Sequence, residues 1–504
     1  MTRPGPRRSG VLIFIAALSL YTLTAGGSLT STDAVVAYDL TASLVDRQSI
    51  ALSGNLLGLE ANRGVDGRFY SQYGIGHSLY SVPFYVAGKA AQRVVGRRIG
   101  KPDTLPKAAV ALGSAVAAAA CVLLVWLLSR RLGAGARGAL MAAASAAIAS
   151  PLWPYSKFGF STALTAMILL GAAWLLAEAV DRRRVGLAAA AGLVLGFGWL
   201  TRHEMALVLL PFASFLLLAA DDPSSRPLAR RQAAALIGCA ALGGILWVWY
   251  NVARFGSPFS VGYTPRFGYA GYIAFIASPA GSVVLFAPIA IVWLAGLVTS
   301  REIGTARRVL LIRPLVVFYL FFGALEDWPG GRSYGPRYLV PALLLLAPGA
   351  ACLWQRGAWR RTLVVTAIAA GAILQLPGVL VDYSKVSVEW ARGSTRADIE
   401  ARNWRVAASP LVLGARAALR ALPANAAYLS GRTPWPAVAT TANAEDRDFA
   451  QQLSFSLDVW WLYLVYLHAL SVRVAIAIAA GLLGVTAVCA AMAWRSVTDE
   501  PTQA

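Results

Sequence analysis

Apolar runs of about 17–25 residues recur along the chain and constrain its fold more than any other feature. A helix needs about 20 such residues to cross roughly 30 Å of hydrocarbon. In lipid, only helices and closed barrels satisfy their own backbone hydrogen bonds. The runs are rich in Ala, Leu and Val and lack the alternation of barrel strands, so the sequence predicts an all-α, polytopic transmembrane bundle.

Composition agrees with this fold class. The 504 residues are 58% hydrophobic and only 14% charged, whereas soluble domains are about 25% charged. About twelve spans are predicted. They lie at residues 10–27, 108–129, 138–153, 160–180, 185–201, 204–220, 232–252, 281–299, 309–325, 337–354, 362–381 and 473–494.

The net charge of +21 does not indicate a nucleic-acid partner. Much of the arginine lies in alternate short loops between apolar runs, where the positive-inside rule places it on the cytoplasmic side. The sequence therefore predicts a multi-pass protein of the bacterial cytoplasmic (inner) membrane with both termini in the cytoplasm. The basic loops contain Arg130, Arg131 and Arg137; Arg182 to Arg184; Arg226, Arg230 and Arg231; Arg301, Arg307 and Arg308; Arg356, Arg360 and Arg361; and Arg495.

Two long polar segments fall on the opposite, extracytoplasmic side. The first outward loop spans residues 28–107, with a helix from Asp33 to Val45 capped by Thr32, and an amphipathic helix at 78–95 lying on the outer surface. The predicted organisation is a catalytic region at 1–381, an extracytoplasmic segment at 382–472, and a last helix with a cytoplasmic tail at 473–504. The first apolar run resembles a signal peptide, but we expect an uncleaved helix because many spans follow it.

Metal and redox motifs are absent from the sequence. All four cysteines lie inside apolar runs, which is typical of small buried side chains, and the three histidines are far apart. No cofactor is indicated, although a divalent metal stays open.

Asp33 and Arg337 are the two strongest candidates for chemistry. Asp33 follows the first span, where a carboxylate serves either as a general base for a hydroxyl or as part of a helix cap. Arg337 begins a later span at the same membrane face. A guanidinium there suits a phosphate, and the alternative is snorkelling to the interface.

Further candidates lie on the same face. Residues 66–77 combine Asp66 with the aromatic side chains of Tyr70 and Tyr73, which offer sugar-stacking surfaces, although a structural turn explains them equally. Lys157 is a second cation. Arg202 and Glu204 end a span, and ionisable groups there are either functional or form an internal ion pair.

Together these segments resemble the C-type (GT-C) membrane glycosyltransferases, in particular the family 39-like protein O-mannosyltransferases and aminoarabinose transferases. The matching stretches, in the family's order, are Thr32-Asp33, Asp66 to Gly76, Pro154 to Lys157, Leu200 to Glu204, Tyr250 to Pro258, Ser278 to Gly281 and Gly335 to Tyr338.

This resemblance implies a hexosyl or pentosyl transferase. Its donor would be a polyprenyl-phosphate sugar reached from outside the cytoplasm, and its acceptor a hydroxyl of a protein, lipid or glycan. It implies inversion at the anomeric carbon with Asp33 as base, and Arg337 near the donor phosphate. The implied substrate-binding residues are Asp66, Tyr70, Tyr73, His77, Lys157, Arg202, Glu204, Asn251, Arg337 and Tyr338.

The sequence departs from the family at two points. Relatives often have an Asp-Glu pair where this chain has Asp33-Ala34, and an acidic residue after the Tyr-Ser-Lys stretch where it has Phe160. Neither position therefore indicates a metal site.

Two other functions compete with the transferase. A transporter or flippase of a lipid-linked glycan would favour interrupted helices with ionisable groups near mid-membrane, whereas the ionisable groups here lie at helix ends. A non-catalytic envelope assembly protein would not need Asp33 and Arg337 together.

Overall fold

Helices dominate the computed structural model, which describes residues 6–26, 29, 31–54, 61–95, 103–157, 159–220, 222–331, 333–384, 386, 395, 398, 401–434 and 457–498. Parts of both predicted outward segments, at 55–60, 96–102 and most of 385–400 and 435–456, lie outside the described residues.

Within its described residues, the first half of the chain contains ten helices and one hairpin. They are α1 (Pro6–Leu23), α2 (Thr32–Ala42), β1 (Ala61–Arg63), β2 (Phe69–Ser71), α3 (Gly76–Val95), α4 (Thr104–Arg131), α5 (Ala136–Ile148), α6 (Leu152–Tyr155), α7 (Thr162–Asp181), α8 (Val185–Thr201), α9 (Leu209–Leu218) and α10 (Arg226–Phe255). A π-helical turn at Ser43–Arg47 extends α2, and 3-10 turns at His203–Val208 and Pro223–Ser225 precede α9 and α10.

In the part of the second half that the structure describes, there are ten further helices. They are α11 (Ala270–Ala277), α12 (Val283–Phe286), α13 (Ile289–Thr299), α14 (Thr305–Gly323), α15 (Val340–Leu343), α16 (Pro348–Trp354), α17 (Ala358–Leu380), α18 (Pro410–Leu429), α19 (Trp460–Tyr466) and α20 (Val472–Thr498), with 3-10 turns at Leu344–Leu346 and Val406–Ala408.

Each predicted span coincides with helical structure, although some spans are broken. The run at 138–153 is divided between α5 and α6, and the run at 337–354 between α15 and α16. Among the residues that the structure describes, five helical segments have the length and composition to cross a membrane, namely Thr104–Arg131, Thr162–Asp181, Pro223–Phe255, Ala358–Leu380 and Val472–Thr498. The prediction of twelve spans is therefore confirmed as helical structure but not as a number of crossings.

Burial distinguishes inner from outer helices. In the most apolar window of α7, 72% of the residues are buried, against 11% for α20. The exposed side chains of α20 include Ile476, Leu483 and Val488. A helix with such an apolar outer surface is suited to lipid rather than water.

Small residues allow helices α8 and α10 to pack closely. A Cβ on Gly243 would collide with the backbone of Gly196, and one on Gly192 with the carbonyl of Leu236. The Gly192-xxx-Gly196 spacing puts both glycines on one face of α8, the pattern by which membrane helices approach closely.

The helix ends gather in two groups. At one end the basic loops meet: Arg131 pairs with Asp181 at 2.9 Å, Arg307 reaches Asp181 at 3.5 Å, and Arg356 donates to Thr299 at 2.9 Å. At the other end lie the termini of α1, α8, α10, α14 and α17, together with most of the predicted site residues.

Two details of the first outward loop differ from prediction. Ser31, not Thr32, caps α2: its hydroxyl accepts from the amide of Ala34 at 3.1 Å. The helix predicted at 78–95 exists as α3, but it packs lengthwise on α4, where Tyr80 donates to the carbonyl of Gly113 at 2.8 Å.

Candidate active site

Asp33 and Arg337 form an ion pair, although 304 positions separate them. Asp33 lies in the first turn of α2 and Arg337 lies three residues before α15. The side chain of Arg337 is 8% exposed and that of Asp33 is 18% exposed. A carboxylate and a permanent cation therefore share one mostly buried position at the end of the bundle.

The guanidinium of Arg337 is held in place but not saturated. Its Cζ lies 3.8 Å from the centre of the Phe160 ring, and Nη1 donates to the carbonyl of Gly330 at 3.2 Å. Its Nε is buried and has no hydrogen-bond partner among the described residues. Buried N–H groups are rarely left unpaired, so this nitrogen is an open position for an acceptor oxygen.

Tyr73 contacts the other oxygen of Asp33. Its hydroxyl donates to Asp33 Oδ1 at 3.0 Å. The backbone of this turn is held by Arg254, which is buried and donates to the carbonyls of Ser71 and, at 3.4 Å, Tyr73. Arg254 thus positions a residue that contacts the carboxylate.

Glycines bring the same turn against the end of α8. A Cβ on Gly74 would collide with the carbonyl of Leu200, and one on Gly76 with Thr201. The Gly-Ile-Gly sequence is therefore required for close approach, and it places Tyr73 beside the segment that contains Arg202.

Arg202 and Glu204 form the expected ion pair, and Glu204 is buried. The guanidinium of Arg202 lies 5.1 Å from the centre of the Tyr338 ring. Tyr338 stacks on Phe322 with 4.4 Å between ring centres and donates to Asp327 at 3.2 Å.

Asp327 adds a further carboxyl group to the cluster, beside those of Asp33 and Glu204. Burial raises its pKa, against the opposing effects of the Tyr338 hydroxyl and the charge of Arg337. The group lies in the loop between α14 and α15. It accepts a hydrogen bond from Tyr338, whose ring centre lies 5.8 Å from the guanidinium carbon of Arg337, so it lies near the ion pair.

His77, the second residue of α3, also belongs to this environment. Burial lowers its pKa to about 4; the charge of Asp33 opposes this shift and that of Arg337 adds to it. The imidazole is therefore neutral at physiological pH.

Asp66 and Tyr70 form a separate cluster within the hairpin. The hydroxyl of Tyr70 donates to Asp66 at 2.7 Å, and Arg68 Nε donates to it at 2.6 Å. These hydrogen bonds lower the pKa of Asp66 to about 2. These contacts of Asp66 are those of a turn, which was the structural alternative for this stretch.

Lys157 is engaged elsewhere. Its ammonium is fully buried and contacts the carbonyl of Val379 at 2.5 Å, the carbonyl of Asp458 at 2.7 Å and the carboxylate of Asp458 at 2.8 Å. An ammonium has three protons, and these three acceptors match them. The contacts favour a structural role over the predicted role in donor binding.

Asn251 also has structural partners. It donates to the carbonyl of Pro258 at 3.0 Å and accepts from Arg254 at 2.6 Å. It therefore shapes the loop after α10 and orients Arg254.

The sequence interpretation missed three residues, Arg254, Asp327 and Asp458. Arg254 lies in the Tyr250 to Pro258 stretch, and its position near the end of an apolar run was an available signal. Asp327 lies in the polar loop that precedes Arg337. For Asp458 the sequence offers no local signal, since its partner is 301 positions away.

The described residues contain no group of three or more His, Cys, Asp and Glu side chains placed to hold a metal ion. The cluster around Asp33 contributes cations and hydroxyl groups instead. Its arrangement suits the binding of an anion beside a carboxylate that can accept a proton.

Comparison with known proteins yields one family match. Residues 104–250 match the family described as dolichyl-phosphate-mannose-protein mannosyltransferase, a little under a third of the chain. None of the curated proteins matches the sequence.

Among solved structures, three of the Archaeoglobus fulgidus oligosaccharyltransferase are similar. The apo form is 12% identical with a TM-score of 0.46. The enzyme AglB in complex with an inhibitory peptide and a dolichol-phosphate is 14% identical with a TM-score of 0.49. The form tethered to an acceptor peptide is 13% identical with a TM-score of 0.49.

These similarities cover 79–80% of this chain but only 59% of the archaeal chains. The chain thus spans about three fifths of the length of those enzymes. Its several apolar helices make it a multi-pass membrane protein. It resembles, over residues 104–250, the GT-C glycosyltransferases of the dolichyl-phosphate-mannose-protein mannosyltransferase family, as its motifs predicted.

Proposed function

We propose that this protein is an inverting glycosyltransferase that moves a sugar from a polyprenyl-phosphate donor to an acceptor hydroxyl. The observation that carries the proposal is the contact between Arg337 and Asp33. One group is suited to the donor phosphate and the other to the acceptor proton. They must lie within a few ångströms of one anomeric carbon for this reaction.

Arg337 is the proposed phosphate ligand. A guanidinium binds phosphate through two parallel N–H groups, and the buried Nε of Arg337 has no partner among the described residues. Its stacking against Phe160 fixes the plane of the fork in advance. Arg202, paired with Glu204 and lying over the Tyr338 ring, adds positive charge beside this position.

In the proposed reaction, the acceptor oxygen forms a bond to the anomeric carbon as the bond from that carbon to the phosphate oxygen breaks. Asp33 accepts the proton from the acceptor hydroxyl. The electron pair leaves with the polyprenyl phosphate, whose increasing negative charge is stabilised by Arg337. Because attack comes from the side opposite the phosphate, the configuration inverts.

The ion pair gives this mechanism an order. While Arg337 donates to Asp33 Oδ2, that oxygen is occupied and does not accept the proton of the acceptor hydroxyl. A donor phosphate would compete with Asp33 for the guanidinium, and its arrival would release the carboxylate toward the acceptor. Donor binding therefore precedes activation of the acceptor.

We place this chemistry on the extracytoplasmic side of the bacterial inner membrane. The basic helix ends form the opposite end of the bundle, and the positive-inside rule assigns that end to the cytoplasm. The donor and the acceptor, a protein, lipid or glycan, would meet at the outer leaflet, and membrane lipids would surround the exposed helices.

A transfer assay tests the proposal against the flippase alternative. Purified protein in proteoliposomes receives polyprenyl-phosphate mannose labelled in the sugar. Release of labelled sugar to water or to an acceptor, lost in Asp33→Asn, is the expected result. Movement of intact donor between leaflets without cleavage of the sugar–phosphate bond would instead indicate a flippase.

A further inference from the structure

A cavity of about 490 Å³ lies between the hairpin and the loop after α10. Its size falls within the range of about 300–1,000 Å³ typical of small-molecule sites. It is lined by Asn62, Arg63, Gly64, Val65, Phe255, Ser260, Gly262, Tyr263 and Thr264. None of these residues was predicted to bind a substrate.

We propose that this cavity is the acceptor subsite and that it takes a carbohydrate. The inference rests on the proposed function. It adds the location of the second substrate and its chemical class.

The chemistry of the lining favours a hydroxyl-rich ligand. It offers the planar amide of Asn62, the guanidinium of Arg63 and the hydroxyls of Ser260 and Thr264. Small-molecule sites are usually lined mainly by apolar side chains with few polar groups, so this polar lining is unsuited to the prenyl chain of the donor. The rings of Phe255 and Tyr263 supply flat faces for the C–H surface of a sugar.

One wall of the cavity connects to Asp33 through the hairpin. Asn62 is paired with Tyr70 across the two strands, and Tyr73, which contacts Asp33, lies three residues further on. Three residues span at most about 10 Å. Arg254, next to the lining residue Phe255, holds the backbone of Tyr73.

The opposite wall connects to the Arg202 cluster. The hydroxyl of Tyr263 lies 3.4 Å from His203 Nε2, and His203 lies 3.9 Å from the carboxylate of Glu204. Glu204 pairs with Arg202, which lies over Tyr338. Each wall is thus linked by these contacts to a neighbour of the Asp33–Arg337 pair, Tyr73 on one side and Tyr338 on the other. An acceptor in the cavity would extend one hydroxyl toward Asp33.

A peptide acceptor fits these observations less well. An extended peptide is usually recognised by backbone pairing along a free strand edge. The strand β1 has only three residues, and the amides of Gly64 and Val65 that follow it already donate to the carbonyls of Arg68 and Arg254.

The test fills the cavity with a tryptophan side chain and measures how the donor sugar is divided between acceptor and water. Full-length protein in proteoliposomes receives labelled polyprenyl-phosphate mannose and membranes from the parent bacterium lacking this gene. The readout is the ratio of label transferred to membrane acceptor to label released to water. We expect Ser260→Trp to reduce this ratio at least tenfold relative to the wild type.

Matched controls keep the result interpretable. Ser257→Trp introduces the same side chain in the same loop at a position that does not line the cavity, and it should leave the ratio unchanged. Asn62→Ala removes an amide without adding bulk, and we expect it to raise the acceptor concentration needed for half-maximal transfer. All variants are compared by thermal midpoint.

Each outcome decides the matter. The inference is supported if the labelled product is a carbohydrate that exhaustive protease digestion leaves intact. An unchanged ratio in both Ser260→Trp and Asn62→Ala, or label recovered on peptide, overturns it while leaving the transferase intact. A wild-type protein that neither transfers nor releases label overturns the proposed function, and the subsite with it.

Discussion

The polar residues at one end of the bundle differ in how completely their bonding is satisfied. Lys157 has three acceptors for its three protons, whereas Arg337 retains an N–H without a partner in the part of the chain described. A satisfied buried group resists change, and an unsatisfied one is open to a ligand. This contrast separates a structural cation from the proposed binding cation.

Sequence reasoning identified candidate residues well but could not separate their roles. Asp33, Tyr73, Arg202, Glu204, Arg337 and Tyr338 were all named in advance and do gather. Lys157 carried the same charge at the same helix ends, so nothing local distinguished it from Arg337. The difference arises from Asp458, and pairing across 301 positions is not visible in a single sequence.

Tyr73→Phe tests the contact between the tyrosine hydroxyl and Asp33. The variant keeps the ring but loses a hydrogen bond to a charged group, which is typically worth about 1.5–3 kcal/mol. We expect kcat to fall roughly 10-fold or more with little change in thermal stability. Tyr70→Phe, whose hydroxyl contacts Asp66 instead, is the matched control. Equal losses in both variants would contradict the assignment.

The lowered pKa of His77 leads us to expect that stability depends on pH. Its pKa is lowered to about 4 in the folded protein, against about 6.5 in an unfolded chain. The unfolded state therefore binds more protons between these values, and stability falls as the pH falls through this window. We expect the thermal midpoint of the wild type to drop more between pH 6.5 and 5 than that of His77→Gln. Parallel curves would show that His77 is not held neutral.

At the scale of helices and turns, the tail after α17 is joined to the first helix. Asp458 pairs with Lys157, and the indole groups of Trp460 and Trp461 donate to the carbonyls of Thr22 at 2.7 Å and Leu23 at 3.0 Å. These contacts lie at the end of α1, about ten residues before Asp33. The tail thus holds the chain where it enters the active site.

Helix positions were more predictable than helix continuity. Runs of apolar residues located all the spans, because length and hydrophobicity are local properties. Two predicted spans are broken, one between α12 and α13 at 287–288 and one between α15 and α16 at 344–347. These breaks depend on proline and on neighbouring helices, so the hydrophobic pattern predicted a single span in each case.

Breaking the Lys157–Asp458 pair should destabilise this junction. Removing one partner of a buried pair leaves an uncompensated charge and typically costs about 3–5 kcal/mol. We expect Asp458→Leu to lower the thermal midpoint strongly, and the double variant Lys157→Met with Asp458→Leu to recover much of the loss. An Asp458→Leu protein as stable as the wild type would remove the pair from any structural role.

At the scale of the whole molecule, loop charge and helix-end grouping point to one orientation. Arginine-rich loops meet at one end, and the Asp33 cluster lies at the other. The assignment of the arginine-rich end to the cytoplasm depends on the positive-inside rule.

Cysteine accessibility tests this orientation. Single cysteines are introduced into a variant that lacks the four native ones. Phe259→Cys probes the exposed loop after α10, and Arg301→Cys probes an exposed turn of a basic loop. We expect a membrane-impermeant maleimide to label only the first in intact spheroplasts and both after lysis. The reverse pattern would place the Asp33 cluster in the cytoplasm.

The account as a whole depends on Arg337 exchanging Asp33 for a donor phosphate. Removing the phosphate ligand in Arg337→Gln should weaken binding of polyprenyl phosphate by roughly 30-fold or more, since losing one partner of a buried charge pair costs about 2–5 kcal/mol. Asp33→Asn removes the carboxylate that competes with the phosphate for Arg337. It should therefore strengthen the binding of polyprenyl phosphate, and it should abolish transfer.

The most direct measurement is therefore the dissociation constant of polyprenyl phosphate for the wild type and for Asp33→Asn in nanodiscs. We predict tighter binding by the Asp33→Asn protein, about 10-fold, from the loss of one charge-assisted hydrogen bond that the phosphate must displace. Binding that is weaker in Asp33→Asn than in the wild type would show that the carboxylate helps to hold the donor, and would contradict the exchange.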